Sequence, residues 1–119
     1  MAGINESLES LLSIDGAKCT SLVDSSSGMV LGEAGSGIDM ELAAAGNSEV
    51  VKAKLQTMKH LGLEGDIEDI LITLDDQYHI IRPMASQKGL FIYLVLDKAK
   101  SNLALARRKV QNIEENLIV

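Results

Sequence analysis

From Leu90 to Leu96 the chain runs through seven consecutive apolar residues, bounded by Gly89 and Asp97. A run this short cannot cross a bilayer, and its lack of alternation predicts a strand covered on both faces, the centre of a three-layer sandwich. Elsewhere the apolar positions keep a helical or an alternating period. Ile4, Leu8, Leu11 and Leu12 fall at i, i+4, i+7 and i+8, the stripe of a short amphipathic helix that stops before Asp15-Gly16. Residues 17–23 and 29–34 flank Asp24-Ser25-Ser26-Ser27-Gly28, which predicts a β-hairpin with a loop of about four or five residues.

Gly35-Ser36-Gly37 breaks the chain, and from Ile38 to about His60 the pattern predicts one long helix, with Asp39 early and Lys59-His60 late as the macrodipole favours. Leu42, Ala45, Glu49, Ala53, Gln56 and Lys59 face one way. Ala43, Gly46, Val50, Ala53, Thr57 and Met58 form a neighbouring stripe of small and medium residues. Glycine in mid-helix costs about 1 kcal/mol relative to alanine, a loss that a close helix contact at Gly46 would offset.

Gly62 and Gly65 end the helix, and Ile67 to Leu74 predicts a strand, charged at its start and apolar later. Asp75-Asp76 turns it into a return strand over 77–82 that stops at Pro83, which has no N–H for a central ladder. Ser86-Gln87-Lys88-Gly89 leads into the central strand. Leu103, Ala106, Val110, Ile113 and Leu117, spaced by three and four, mark a final helix held on the sheet by roughly 1.5–3 kcal/mol for each buried large aliphatic. The expected fold class is α/β in the α+β sense: a three-layer α/β/α sandwich with a five-stranded, mostly antiparallel sheet, in the order α-β-β-α-β-β-β-α. Residues 1–119 form one domain.

Composition narrows the function. The formal net charge is -6, Trp is absent, and Tyr78, Phe91 and Tyr93 are the only aromatic residues, so there is little to stack bases on and much to repel phosphates and anionic lipids. The one basic cluster, Arg107-Arg108-Lys109, is short. Neither nucleic acid nor direct membrane insertion is expected. Cys19 is the only cysteine and can form no internal disulfide, and residues 1–6 carry neither the basic nor the apolar part of a signal peptide, so the expected location is cytoplasmic.

Candidate chemistry is sparse. Gly28 to Gly37 has glycines but not the Gly-Lys-Ser/Thr ending of a phosphate loop. His60 and His79 are the only imidazoles, with no His or Cys at metal-ligand spacing, and the acids Asp66, Glu68, Asp69, Asp75 and Asp76 lack the ligand spacing of an EF-hand and read as a solvated face. Cys19 reads as a small core hydrophobe and Ser25-Ser26-Ser27 as turn chemistry. No catalytic residue, metal or cofactor is expected. A small-molecule sensor, or a hydrolase built on the serine turn and a histidine, would call for an apolar cavity of roughly several hundred Å³, which an interior packed with aliphatics is not expected to leave.

The element order, Asp24…Gly28 followed by Met29-Val30-Leu31, and the ending Leu94-Val95-Leu96-Asp97…Asn102-Leu103-Ala104-Leu105-Ala106-Arg107 together resemble the roadblock (dynein light chain) family of the longin/profilin-like superfamily. The resemblance implies a domain without an enzyme active site that forms homo- or heterodimers through edge strands and long helices. Some members are dynein light chains, and bacterial and archaeal ones regulate small Ras-like GTPases.

Carried onto this chain, the dimer interface comprises Leu42, Ala43, Ala45, Gly46, Glu49, Val50 and Ala53 of the long helix with Ile67, Asp69, Ile70, Leu71, Ile72 and Thr73 of the strand. The expected partners are a second copy and a small Ras-like GTPase; a light-chain or scaffold subunit of a motor or membrane-associated complex is the alternative. An unpaired apolar edge at Ile70-Leu71-Ile72 is an aggregation hazard that self-pairing removes. A core role for Ala43, Ala45 and Gly46 against the protein's own sheet is equally open. Arg82, Arg107 and Arg108, the only arginines, lie in a strand and a helix rather than in a mobile loop. That placement argues against an arginine finger.

Overall fold

The computed structural model describes residues 2–119. Its elements are α1 (Ile4–Leu12), β1 (Ala17–Asp24), β2 (Met29–Gly35), α2 (Met40–His60), β3 (Ile70–Thr73), β4 (Gln77–Pro83), β5 (Leu90–Asp97) and α3 (Leu103–Asn116), with a 3-10 turn at Lys98–Lys100. The strands lie in the order β2-β1-β5-β4-β3, and every neighbouring pair is antiparallel. The sheet is thus wholly rather than mostly antiparallel; the parallel pairing present is the isolated bridge Ala2–Leu117.

β5, the unbroken apolar run, is the central strand. Its alternate residues enter two cores: Ile92, Leu94 and Leu96 pack with Leu8 and Leu11 of α1 and Ala106 and Val110 of α3, while Phe91, Tyr93 and Val95 pack with Met40, Ala44 and Val51 of α2. Helices cover both faces, so the strand has no use for polar positions.

Local chemistry sets the helix ends. The Asp39 carboxylate accepts from the Leu42 N–H at 3.2 Å and the Asn102 side chain from the Leu105 N–H at 3.1 Å, which starts α2 at Met40 rather than Ile38 and α3 at Leu103. Gly62, at φ +71, closes α2: its N–H donates to Lys59 O and that of Leu63 to Met58 O, the paired bonds of a Schellman motif. Leu117 lies just beyond α3 yet is buried, so it completes the apolar stripe from outside the helix.

The predicted strand from Ile67 to Leu74 is shorter than expected, and Pro83 is the reason. The ladder with β4 begins at Ile70 opposite Ile81, and two residues further in register Glu68 would stand opposite Pro83. Met84 N donates to Leu90 O at 2.9 Å, so by antiparallel alternation the nitrogen of Pro83 faces β3, where it has no hydrogen to give. Ile67, Glu68 and Asp69 peel away from the sheet.

Gly35 shows how tightly β2 and the loop after it are fitted. It sits at φ +79, and a Cβ there would collide with the Lys18 carbonyl oxygen and lie 2.8 Å from the Cys19 Cα. Gly35→Ala is expected to cost about 1–3 kcal/mol, read as a lower urea midpoint. An unchanged midpoint would contradict this fit.

Candidate interaction surface

β3 is the last strand of the sheet, and its register fixes what it shows to the outside. Ile70 and Ile72 bond β4 through Ile81 and His79, so the main-chain N–H and C=O groups of Leu71 and Thr73 point off the edge. The side chains of Ile70 and Ile72, half-buried, lie on the α2 side of the sheet; that of Leu71 lies on the α1/α3 side, and Thr73 is exposed.

α2 packs against β1 and β2 through Met40, Ala44, Ser48 and Val51. That face went unread in the sequence because two of its four residues are an alanine and a serine. On the remaining surface Leu42 is 72% exposed, Val50, Ala45, Glu49 and Ala53 are exposed, and Ala43 is half-buried against the same core cluster as Ile70 and Ile72. Glu49 reaches Lys52 at 3.8 Å. Gly46 is exposed, and a Cβ built on it meets nothing within 4 Å. Its own chain gives no packing reason for a glycine at this position.

Ile67 and Asp69, expected in the strand, stand outside it. Asp69 forms a two-pronged ion pair with Arg107 of α3, at 2.7 and 2.8 Å, which ties the segment before β3 down onto α3. The Asp69 carboxylate is thereby occupied within its own chain. Ile67 is half-buried in a groove described below.

Known structures place this arrangement. No protein-family model matches the sequence, and no curated protein matches it. Solved structures do: Myxococcus xanthus MglB, with a TM-score of 0.83 at 21% identity, covers 94% of this chain and 89% of its own. The Roadblock/LC7 domain from Streptomyces avermitilis also gives a TM-score of 0.83, at 14% identity over 97% of this chain and 94% of its own. The chain has the roadblock/LC7 fold. The gliding protein MglB from Thermus thermophilus, with a TM-score of 0.72 at 20% identity, is similar over 95% of this chain and 89% of its own.

Within this roadblock fold the other candidate chemistries are accounted for by structure. Ser26 donates to the Asp24 carboxylate from both Oγ (2.7 Å) and N (3.0 Å), holding Asp24 below the usual carboxylate range, and Ser25 Oγ donates to Gly89 O at 2.8 Å. These are turn-closing bonds with no imidazole among them. Cys19 is 1% exposed, and burial pushes its thiol up, away from the reactive thiolate. Among the described residues no group of three or more His, Cys, Asp and Glu is placed to hold a metal, and no helix is long and apolar enough to cross a membrane.

The arginines divide unequally. Arg82 Nε donates to the buried Glu114 carboxylate at 2.9 Å and Arg107 is held by Asp69, which leaves Arg108 exposed on α3. A fingertip needs a guanidinium free to leave its own chain, and two of the three are committed.

A further expectation fails. The roadblock fold here carries a groove of about 510 Å³ where none of that size was expected. It opens where the β3 ladder stops at Pro83, between Leu55 of α2, the peeled segment 66–68, and residues 82–85 and 88–89. Aliphatic Leu55, Ile67 and Met84 line it together with Asp66, Glu68 and Lys88. None of its lining residues is a histidine, serine or cysteine, so it gives the hydrolase reading no catalytic group.

Proposed function

We propose that this chain is a non-enzymatic, homodimeric interaction module of the cytoplasm that regulates or scaffolds a small Ras-like GTPase. The observation that carries the reading is Gly46, exposed in the second turn of a 21-residue helix with open space around it, on the same side of the sheet as the apolar residues of the unpaired β3 edge. The glycine weakens the isolated helix and serves nothing in its own protomer; a second α2 approaching closely gives it a purpose. Pairing of two β3 edges likewise gives the outward groups of Leu71 and Thr73 partners.

The interface takes in Leu42, Ala43, Ala45, Gly46, Glu49, Val50 and Ala53, with Ile70, Ile72 and Thr73 and the edge groups of Leu71; Ile67 and Asp69 stand at its margin. The resemblance to roadblock regulators and the likeness to the gliding protein MglB support a GTPase as the partner. With Arg82 and Arg107 bound within the protomer, the module acts by reshaping the partner's switch segments rather than by inserting a guanidinium.

Two measurements test the reading. Sedimentation velocity at micromolar concentration is expected to show a dimer, and immobilised protein is expected to retain a cognate Ras-like GTPase in one nucleotide state over the other. A monomer, or equal retention of both states, counts against a regulator. Loss of GTPase stimulation on substitution of exposed Arg108, or of Arg107, in a chain that stays folded would overturn the switch-reshaping mechanism.

A further inference from the structure

His79 stands on β4 directly opposite Ile72 of the β3 edge, half-buried on the α2 side of the sheet. Its ring is held at both nitrogens. Nε2 lies 2.9 Å from Gln77 Oε1 and Nδ1 lies 3.0 Å from the Tyr93 hydroxyl, with the two aromatic rings edge to face at 5.5 Å. With Gln77 Oε1 accepting, the neutral ring carries its proton on Nε2 and takes the Tyr93 O–H on Nδ1. Asn47 of α2 approaches the same hydroxyl, its Nδ2 buried and short of a full hydrogen bond. The polar chain Gln77–His79–Tyr93 therefore starts beside the β3 edge and ends at a hydroxyl that faces α2.

An imidazolium does not fit this chain. Both nitrogens would donate, so Tyr93 would have to turn its hydrogen away from Nδ1 towards Asn47, whose amide would have to turn over to present its oxygen instead of Nδ2. The groups facing the ring are Gln77 on its own strand, Tyr93 and Val95 on β5, Ile72 on β3, and through Tyr93 the Asn47 amide of α2. Tyr93 is the only titratable one, and burial pushes it further up. Burial alone holds His79 below its ordinary value, with no carboxylate to favour the charged ring.

We infer that association of two copies is linked to the proton on His79, the dimer strengthening towards neutral pH and weakening as the pH falls. The inference rests on the dimer reading above, since the second copy is what covers the strip of Ile70, Ile72 and His79. For the sign, a dimer that binds fewer protons than its monomers keeps its full stability above the monomer's titration. It loses that stability as the pH falls through the depressed value. General charge works the other way, because acid reduces the repulsion between two chains of net charge -6.

The test is the dissociation constant by sedimentation equilibrium at about pH 7.5 and about pH 5.5 for wild type, His79→Leu and His60→Gln. The last removes the other imidazole, exposed near the end of α2 and bonded to Gln56. Wild type and His60→Gln are expected to weaken on the order of tenfold in acid, while His79→Leu stays flat. A wild-type dimer indifferent to pH, or one whose acid weakening survives in His79→Leu, overturns the inference and leaves the dimer standing. A monomer at every pH instead overturns the dimer reading. Should His79→Leu fail to fold, NMR titration of His79 in wild type at high and low protein concentration decides, with a lower midpoint expected in the dimer and an equal one overturning the linkage.

Discussion

Replacing Glu114 by alanine is expected to cost about 3–5 kcal/mol, the largest loss of protomer stability expected from any single substitution considered. Glu114 on α3 is 2% exposed, and its Oε1 accepts from Arg82 Nε at 2.9 Å across the α1/α3 core. Arg82 shares that face of β4 with Ile80 and Met84. Removing the carboxylate leaves the guanidinium without the counter-charge it is bonded to, and solvent reaches little of it, since the Arg82 side chain is 13% exposed. Replacing both partners, Arg82→Met with Glu114→Leu, removes the problem along with the pair and is expected to be close to neutral. Arg107→Ala is the contrast: the Arg107 side chain is 46% exposed, so solvent screens that pair from one side although the Asp69 side chain is 11% exposed, and the loss is expected to be smaller, about 1–2 kcal/mol. Urea midpoints at one fixed protein concentration check the series, because dimer formation makes stability depend on concentration. A Glu114→Ala midpoint equal to wild type would show that the buried pair contributes nothing.

What could be read in advance follows from the range of the interactions. The seven-residue run declared itself as the central strand, because a strand flanked on both faces needs apolar residues everywhere, and β5 holds that place. Helix starts were legible to within two residues: Asp39 was read as an early acid of a helix begun at Ile38, whereas its side chain caps a helix that begins at Met40. The length of β3 was not legible. Pro83 was recognised as the end of its own strand, but that it also cuts short a neighbour depends on which way its nitrogen faces, and so on register. The pairs Arg82–Glu114 and Asp69–Arg107 join residues 32 and 38 apart and depend on how α3 lies on the sheet. The groove follows from the same proline. For the candidate site, the residue types of α2 were visible but their orientation was not, because its apolar side chains are spread around the helix. Only the placement of Ala44, Ser48 and Val51 on the sheet shows that Gly46 faces away from it.

Gly46→Gln is expected to strengthen the protomer and undo the dimer, a pairing of effects that a merely structural glycine would not produce. Within one chain the new side chain enters open space, and exchanging glycine for a better helix former contributes about 0.5–1 kcal/mol to α2. Across a twofold axis the same side chain appears twice in the contact. At roughly 1–3 kcal/mol for each overpacked site, the dissociation constant is expected to rise about thirtyfold or more. Gly46→Ala separates the two terms, since it keeps the helix gain and adds only a methyl group. The edge is probed independently by Thr73→Pro. Thr73 is exposed and its N–H points off the sheet, so proline removes no bond of the protomer but denies one to a partner strand. Sedimentation equilibrium read together with urea unfolding places each variant on both axes. A Gly46→Gln chain that is more stable and still dimerises with wild-type affinity would move the contact off α2, and a Thr73→Pro chain with wild-type affinity would move it off the β3 edge.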